Sequence, residues 1–198
     1  MELKKLKTNF LGKNCIHYKE IDSTQNEIWR LIENKATPSG TVVYADIQTN
    51  GKGTHGRIWH TDEANNIAFS FFIEMNCNIK KLEGITLKIA EIIIEIFETK
   101  YGIKLDIKEP NDIVYKGKKL GGILTETKVI GEIVKYLAVG IGINTSKEKF
   151  SDDIKDCATS IKKEFDVDIV IENYIVEFCN RFENKIMNVQ CRHISRET

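Results

Sequence analysis

Apolar residues recur along this chain at two spacings, and the alternation between them predicts the order of elements. Leu82, Ile85, Ile89, Ile92, Ile93 and Ile96 return every three or four residues, opposite Lys88, Glu91, Glu95 and Glu98. That pattern is one face of a helix with a solvated back, and Gly102 stops it. Ile171, Tyr174, Ile175, Phe178 and Phe182 predict a second amphipathic helix. Ile28, Leu31 and Ile32 predict a shorter one behind three N-cap candidates, Asp22, Ser23 and Thr24. Period-two runs mark strands at residues 15–21, 41–45, 66–74, 103–108 and 133–143, and residues 113–115 and 120–126 pair as a hairpin across Lys116-Gly117. Strands outnumber helices and include hairpins. The expected fold is therefore α+β, a mixed, largely antiparallel β-sheet with helices packed on one face. Residues 188–198 carry no pattern and are expected to fray.

Composition narrows the classes of function. A chain of 198 residues suits one domain with a full core. Its 29 basic and 29 acidic residues cancel, which disfavours a general nucleic-acid surface and requires any cationic cluster to be local. Five scattered cysteines without Cys-x-x-Cys spacing argue for reduced thiols rather than disulfides or zinc. Met1-Glu2-Leu3-Lys4-Lys5 lacks the apolar core of a signal peptide, and no apolar run approaches membrane length. A soluble, cytoplasmic protein is expected.

The chemistry gathers on glycine. Gly51-Lys52-Gly53-Thr54-His55-Gly56-Arg57-Ile58-Trp59 follows the strand at 41–45 and carries two cations, an imidazole and an indole on a pliable backbone. Such a set suits a phosphorylated, ring-bearing ligand. It is no dinucleotide fingerprint, because no helix follows, and no P-loop, because Gly53 stands where Ser or Thr is needed. Residues 50–58 are expected to be loose without ligand. Gly121-Gly122, within a strand and beside Lys116, Lys118 and Lys119, signals close approach of a ligand or of another backbone. Gly140-Ile141-Gly142-Ile143-Asn144 is again glycine-spaced and ends in an amide.

Four segments, Ile21-Asp22-Ser23-Thr24, Gln48 to Trp59, Lys108 to Asp112 with Lys119 to Leu124, and Gly140 to Asn144, resemble the biotin protein ligases in that family's order and spacing. The resemblance covers roughly residues 15–186. It implies a biotin/lipoate ligase-like catalytic domain over 1–186. An irregular tail over 187–198 would then stand where a small C-terminal β domain is usual. It implies activation of biotin by MgATP to biotinyl-5′-AMP, then transfer to a lysine of a biotin carboxyl carrier domain. By resemblance, Lys119 and Lys52 meet the biotin carboxylate and α-phosphate, Lys108 supports the phosphates, and Asp112 helps hold Mg²⁺. Ser23, Thr24, Gln48, Gly51 and Gly122 correspond to biotin-binding positions. Gly53, Thr54, Gly56, Arg57, Trp59, Asn111 and Asn144 correspond to the nucleotide side, with Trp59 stacking on adenine. Three positions depart from the pattern: Gln25 replaces an asparagine, Glu109 a tryptophan and Thr54 an arginine. The short lead before the first strand has no room for a helix-turn-helix, so DNA is not an expected partner, nor is a membrane. A homodimer is compatible with the resemblance. The competing expectations are a lipoate ligase of the same superfamily and a non-catalytic biotin- or nucleotide-binding module.

Overall fold

A computed structural model describes residues 5–61, 66–152 and 154–187. Its strands are β1 (Cys15–Ile21), β2 (Val42–Lys52), β3 (Ile58–Thr61), β4 (Ile67–Asn78), β5 (Asp106–Lys108), β6 (Asp112–Tyr115), β7 (Lys118–Ile130) and β8 (Ile133–Ile143). Its helices are α1 (Thr24–Glu33), α2 (Ile85–Tyr101), α3 (Ile161–Phe165) and α4 (Ile171–Phe182). All the strands share one sheet in the order β1-β2-β4-β8-β7-β6-β5, with β3 paired to β2 off that path. β1 and β2 run parallel and the other pairings are antiparallel. The sheet is thus mixed and largely antiparallel, as the patterning predicts.

Alternation along β4 and β8 decides which face does what. Ile67, Phe69, Phe71 and Ile73 of β4, with Leu137, Val139, Ile141 and Ile143 of β8, join the main core under α2 and α4. Phe178 of α4 meets Phe69 and Phe71 at centroid distances of 5.3 and 5.8 Å, and Phe182 meets Phe71 at 5.0 Å. Each such side chain contributes about 1.5–3 kcal/mol of burial. The intervening residues point the other way. There α1 lays Ile28 and Ile32 on Val43, Phe72 and Ala138, covering only part of the face. The uncovered part, beside the start of α1, is where the site lies.

Local chemistry sets the boundaries. Ser23 caps α1, its Oγ accepting from Asn26 N at 3.4 Å. Gly102 ends α2 in the left-handed region, at φ 69°. Lys116 and Gly117 turn the β6–β7 hairpin, both at positive φ as a two-residue type I′ turn requires. A 3₁₀ turn over Ile79–Leu82 delays α2 to Ile85, three residues beyond the start of its apolar stripe. α4 runs on into a π-helical turn, Glu183–Met187. The buried Glu183 carboxylate accepts the backbone N–H groups of Asn9, Phe10 (3.2 Å) and Leu11 (3.0 Å), clasping the N-terminal segment to that turn. The expected irregular tail lies outside the described residues from 188 onward.

Candidate active site

A cavity of about 400 Å³ opens on the sheet face that α1 leaves bare. Its floor is backbone. Gly140 and Gly142 lie two apart on β8, so both face the cavity while Val139, Ile141 and Ile143 face the core. Gly142 pairs across the sheet with Gly122 of β7, and Gly140 with Ser70 of β4. Trp59 comes down onto this floor from β3. A Cβ built on Gly142 would stand 2.3 Å from the indole, so glycine is what lets the ring reach the strand.

The glycine loop that brings Trp59 is the end of a β2–β3 hairpin, paired as far as Lys52 and Ile58. The expectation that residues 50–58 have no regular structure is corrected accordingly. β2 runs on through Lys52, and its Gly51 lies so close to Trp59 O that a Cβ would be 2.3 Å away. Within the tip, Gly53 N donates to Arg57 O (2.7 Å) and Arg57 N to Thr54 O (3.2 Å). The Arg57 guanidinium folds back, Nε donating to Thr54 O and Nη2 to Thr54 Oγ1. Thr54, where the resemblance leads one to expect arginine, thus holds the neighbouring arginine in place.

The two ends of the cavity differ in charge. Around Gly140 the groups are neutral: Thr24 N and Oγ1 both donate to Gln48 Oε1 (2.8 and 3.0 Å), and Gln48 Nε2 donates to Thr61 Oγ1 (3.1 Å). Thr24 Oγ1 also meets Ser70 Oγ at 2.8 Å. Lys119 lies beside Gly122, Lys52, Arg57 and Lys147 are the other cations of the lining, and among the described residues no Asp or Glu lines the cavity. Lys119 Nζ lies 5.8 Å from the Trp59 ring centroid and 2.6 Å from Asp112 Oδ1. That contact is an ion pair rather than a directed hydrogen bond, since Asp112 Oδ1 is buried without one. Next to the N-cap Ser23, Asp22 receives Arg30 at 2.7 and 3.0 Å, and those hydrogen bonds hold its carboxyl well below the usual range.

Of the residues singled out from the sequence, Ser23, Thr24, Gln48, Lys52, Gly53, Thr54, Arg57, Trp59, Asn111, Lys119, Gly122 and Asn144 line this one cavity. Asn111 and Asn144 also do structural work: Asn111 Nδ2 donates to Ile123 O (3.0 Å), and Asn144 Nδ2 donates to Thr159 O (3.2 Å), pinning the segment before α3 across the cavity. Gly51 supports the hairpin from beneath. Gly56 is at its tip with open space around it. Lys108 is exposed on β5, opposite Asp112 in register, and is not among the lining residues. Asp112 stands behind Lys119, and no group of three or more His, Cys, Asp or Glu side chains suited to a metal occurs among the described residues. Gln25, marked in the sequence only as a departure from the pattern, also lines the cavity, as do Ser70, Lys147, Phe150 and Cys157, which were not singled out. Ser70 carried a readable signal, as a polar residue between Phe69 and Phe71 on the face opposite the core. Lys147, 4% exposed with Nζ 5.7 Å from the Phe150 ring centroid, carried none.

Comparisons with known proteins point the same way as this geometry. Residues 18–144 match the model of the biotin/lipoate A/B protein ligase family. The bifunctional ligase/repressor BirA of Bacillus spizizenii is 40% identical over 160 residues, 80% of this chain and 49% of that protein. The biotin–[acetyl-CoA-carboxylase] ligase of Paracoccus denitrificans is 32% identical over 62% of this chain and 51% of its own length. This chain therefore spans about half the length of these relatives. Among solved structures, the biotin protein ligase from Aquifex aeolicus in complex with biotin and ATP superposes with a TM-score of 0.73 at 31% identity, covering 89% of this chain and 71% of that one.

Proposed function

The chain belongs to the biotin/lipoate A/B protein ligase family, and from that premise we propose that it activates biotin with ATP and transfers it to a lysine of a biotin carboxyl carrier domain. One observation carries the reading: a single cavity with a neutral hydrogen-bonding end at Gly140, Lys119 beside Gly122 at the other, and, among the described residues, four cations but no Asp or Glu in its lining. A neutral bicyclic head with an anionic tail suits the first end and its boundary. A nucleotide phosphate suits the second.

In the first step the biotin carboxylate attacks the α-phosphorus of ATP, the bond to the bridging oxygen breaks, and pyrophosphate leaves. Two anions must approach each other, and Lys52 and Lys119 lie where they can screen both. Their role is positioning and charge neutralisation, without a covalent enzyme intermediate. Lys119 must then exchange its Asp112 partner for the ligand anion. The Trp59 indole offers a stacking face beside Lys119, and Asn144 and Arg57 line the same cavity. Mg²⁺, when bound, would neutralise phosphate charge, and Asp112, whose Oδ1 now pairs with Lys119, would be its one carboxylate ligand, since Mg²⁺ commonly takes its other oxygens from phosphates and water. In the second step a carrier lysine, as free amine, attacks the acyl carbon, AMP leaves, and the amine proton passes to solvent.

Four unpaired cysteines among the described residues support a reducing, cytoplasmic setting. The test is ATP–pyrophosphate exchange. Exchange that requires biotin and ignores lipoate is expected; lipoate-dependent exchange would move the chain to the other branch of its family, and no exchange despite biotin binding would make it a binding module.

A further inference from the structure

Lys119 faces the cavity against the alternation of its own strand. On β7, Gly122 points to the cavity, since a Cβ there meets Trp59 and Lys119 at 3.5 Å. Gly121 points to the core, since a Cβ there meets Ile143 at 3.2 Å and Ile113 at 3.4 Å. Successive side chains of a regular strand change face, which would put Leu120 on the cavity side with Gly122 and Lys119 on the core side with Gly121. The reverse is found. Leu120 is wholly buried in the main core, and Lys119 lines the cavity. A β-bulge makes the exchange: Gly121 pairs with Ile113 of β6 and Lys119 with Val114, so Leu120 is the extra residue and the strand turns over at that point.

A separate segment holds the bulge. The pairing of β8 on β7 ends at Ile143 and Gly121. Past that point residues 157–159 run parallel to Lys119, with Lys119 N donating to Cys157 O (2.7 Å) and Thr159 N donating to Lys119 O (2.8 Å). Thr159 anchors this segment. It is 0% exposed, its carbonyl accepts from Asn144 Nδ2, and its Oγ1 donates to Glu164 Oε1 of α3 at 2.6 Å. Neither Thr159 nor Glu164 is among the residues that line the cavity.

We infer that Thr159 and Glu164 are positioning residues for Lys119: their hydrogen bond seats the segment that locks the bulge, and the bulge aims the ammonium at the reacting anions. The inference rests on the ligase reading above and deepens it. Both side chains act only through the place where Lys119 stands. Misplacing a reacting or screening group by about 1 Å can cost on the order of a hundredfold in rate, so a contact remote from the ligand has leverage on the chemistry.

The test is steady-state ATP–pyrophosphate exchange by Thr159→Val, Thr159→Ser and Glu164→Ala, each also made in a Lys119→Ala background. Thr159→Val, which removes the hydroxyl at nearly constant volume, should lower kcat on the order of tenfold with a smaller change in the KM for biotin. Thr159→Ser, which keeps the hydroxyl, should recover most of that loss. Glu164→Ala removes the acceptor at the other end of the bond and serves if Thr159→Val does not fold. Neither change should slow Lys119→Ala further, because the side chain they position is gone. If Thr159→Val and Glu164→Ala exchange at the unmodified rate, or slow Lys119→Ala by the factor they impose on the unmodified protein, the inference is overturned while the ligase reading stands. If the unmodified protein shows no biotin-dependent exchange, both fall.

Discussion

Replacing Gly142 by alanine would drive Trp59 off the sheet. The new Cβ would stand 2.3 Å from Cε2, 2.5 Å from Nε1 and 2.8 Å from Cζ2 of the indole. Non-bonded carbons settle at about 3.5–4.0 Å, so the ring must retreat by more than about 1 Å. Alanine suits a strand interior better than glycine by about 0.5–1 kcal/mol, so the fold should hold. If about half of the roughly 200 Å² of an indole returns to water, at about 25 cal/mol per Å², about 2.5 kcal/mol of packing is lost. For a ligand that needs the ring in place, that is a loss of affinity on the order of seventyfold. Gly122 supplies the matched control, because it is the register partner of Gly142 and a Cβ there meets Trp59 and Lys119 only at an ordinary 3.5 Å. The chain has two tryptophans, Trp29 and Trp59, so a Trp29→Phe background isolates the indole of interest. Emission should shift to the red in Gly142→Ala and stay put in Gly122→Ala, with ATP binding weakened in the former. Identical emission from the two alanine variants would refute the seating of Trp59 on Gly142.

Further outcomes follow from other contacts. Lys119→Ala should fold and slow biotin-dependent pyrophosphate exchange by roughly ten- to a hundredfold, since a charge-assisted contact is worth about 1.5–3 kcal/mol; an unchanged rate would remove Lys119 from the chemistry. Cys157 is exposed on the cavity wall, burial pushes the Cys15 thiol up to about 11, and burial pushes Cys179 higher still. Iodoacetamide at pH 8 should therefore label Cys157 ahead of these two, and more slowly with biotin and ATP present; peptide mapping that finds no protection would place the ligand elsewhere. Glu183→Ala leaves the three backbone N–H groups it accepts without their partner, at a cost of about 1–3 kcal/mol or more, and should lower the melting temperature by several degrees. The Arg30 hydrogen bonds hold the folded Asp22 pKa below its unfolded value of about 3.9. Its contribution is complete above that value and is lost as pH falls below it toward the folded pKa. With the side chain 39% exposed the effect is small. Asp22→Asn should flatten the fall in melting temperature below about pH 4; an equal fall in both proteins would contradict the assignment.

Periodicity made the scaffold legible. The stripes of α2 and α4 survive because one face of each is wholly buried, and β1 was read to the residue. The second half of β2 was not legible, because Asp46, Gln48, Thr49 and Asn50 point to solvent, to the cavity or to the short β3 rather than to a core. α3 is five residues long, too short for a repeat to register. The site divided along the same line. Glycine-rich motifs named most of the cavity, since a bare backbone leaves its mark in the sequence. Ser70 and Lys147 were missed because each comes singly from a different element, and only the tertiary fold brings them to one cavity. Motif membership also overreached: Lys108 and Gly56 share motifs with lining residues but stand outside the cavity.

The alternating stretch Val139-Gly140-Ile141-Gly142-Ile143 has a consequence for how faithfully the sheet assembles. Side chains on a strand swap faces when pairing slips by a single residue. On β8 such a slip would turn Ile141 and its apolar neighbours into the cavity and leave two glycines facing α2 and α4, forfeiting about 1.5–3 kcal/mol for each large side chain withdrawn. The isoleucines would also fill the space that Trp59 and Gln25 now occupy. A mis-registered β8 would therefore lose the core and the cavity together, so the packing that enforces the register of one enforces the register of the other.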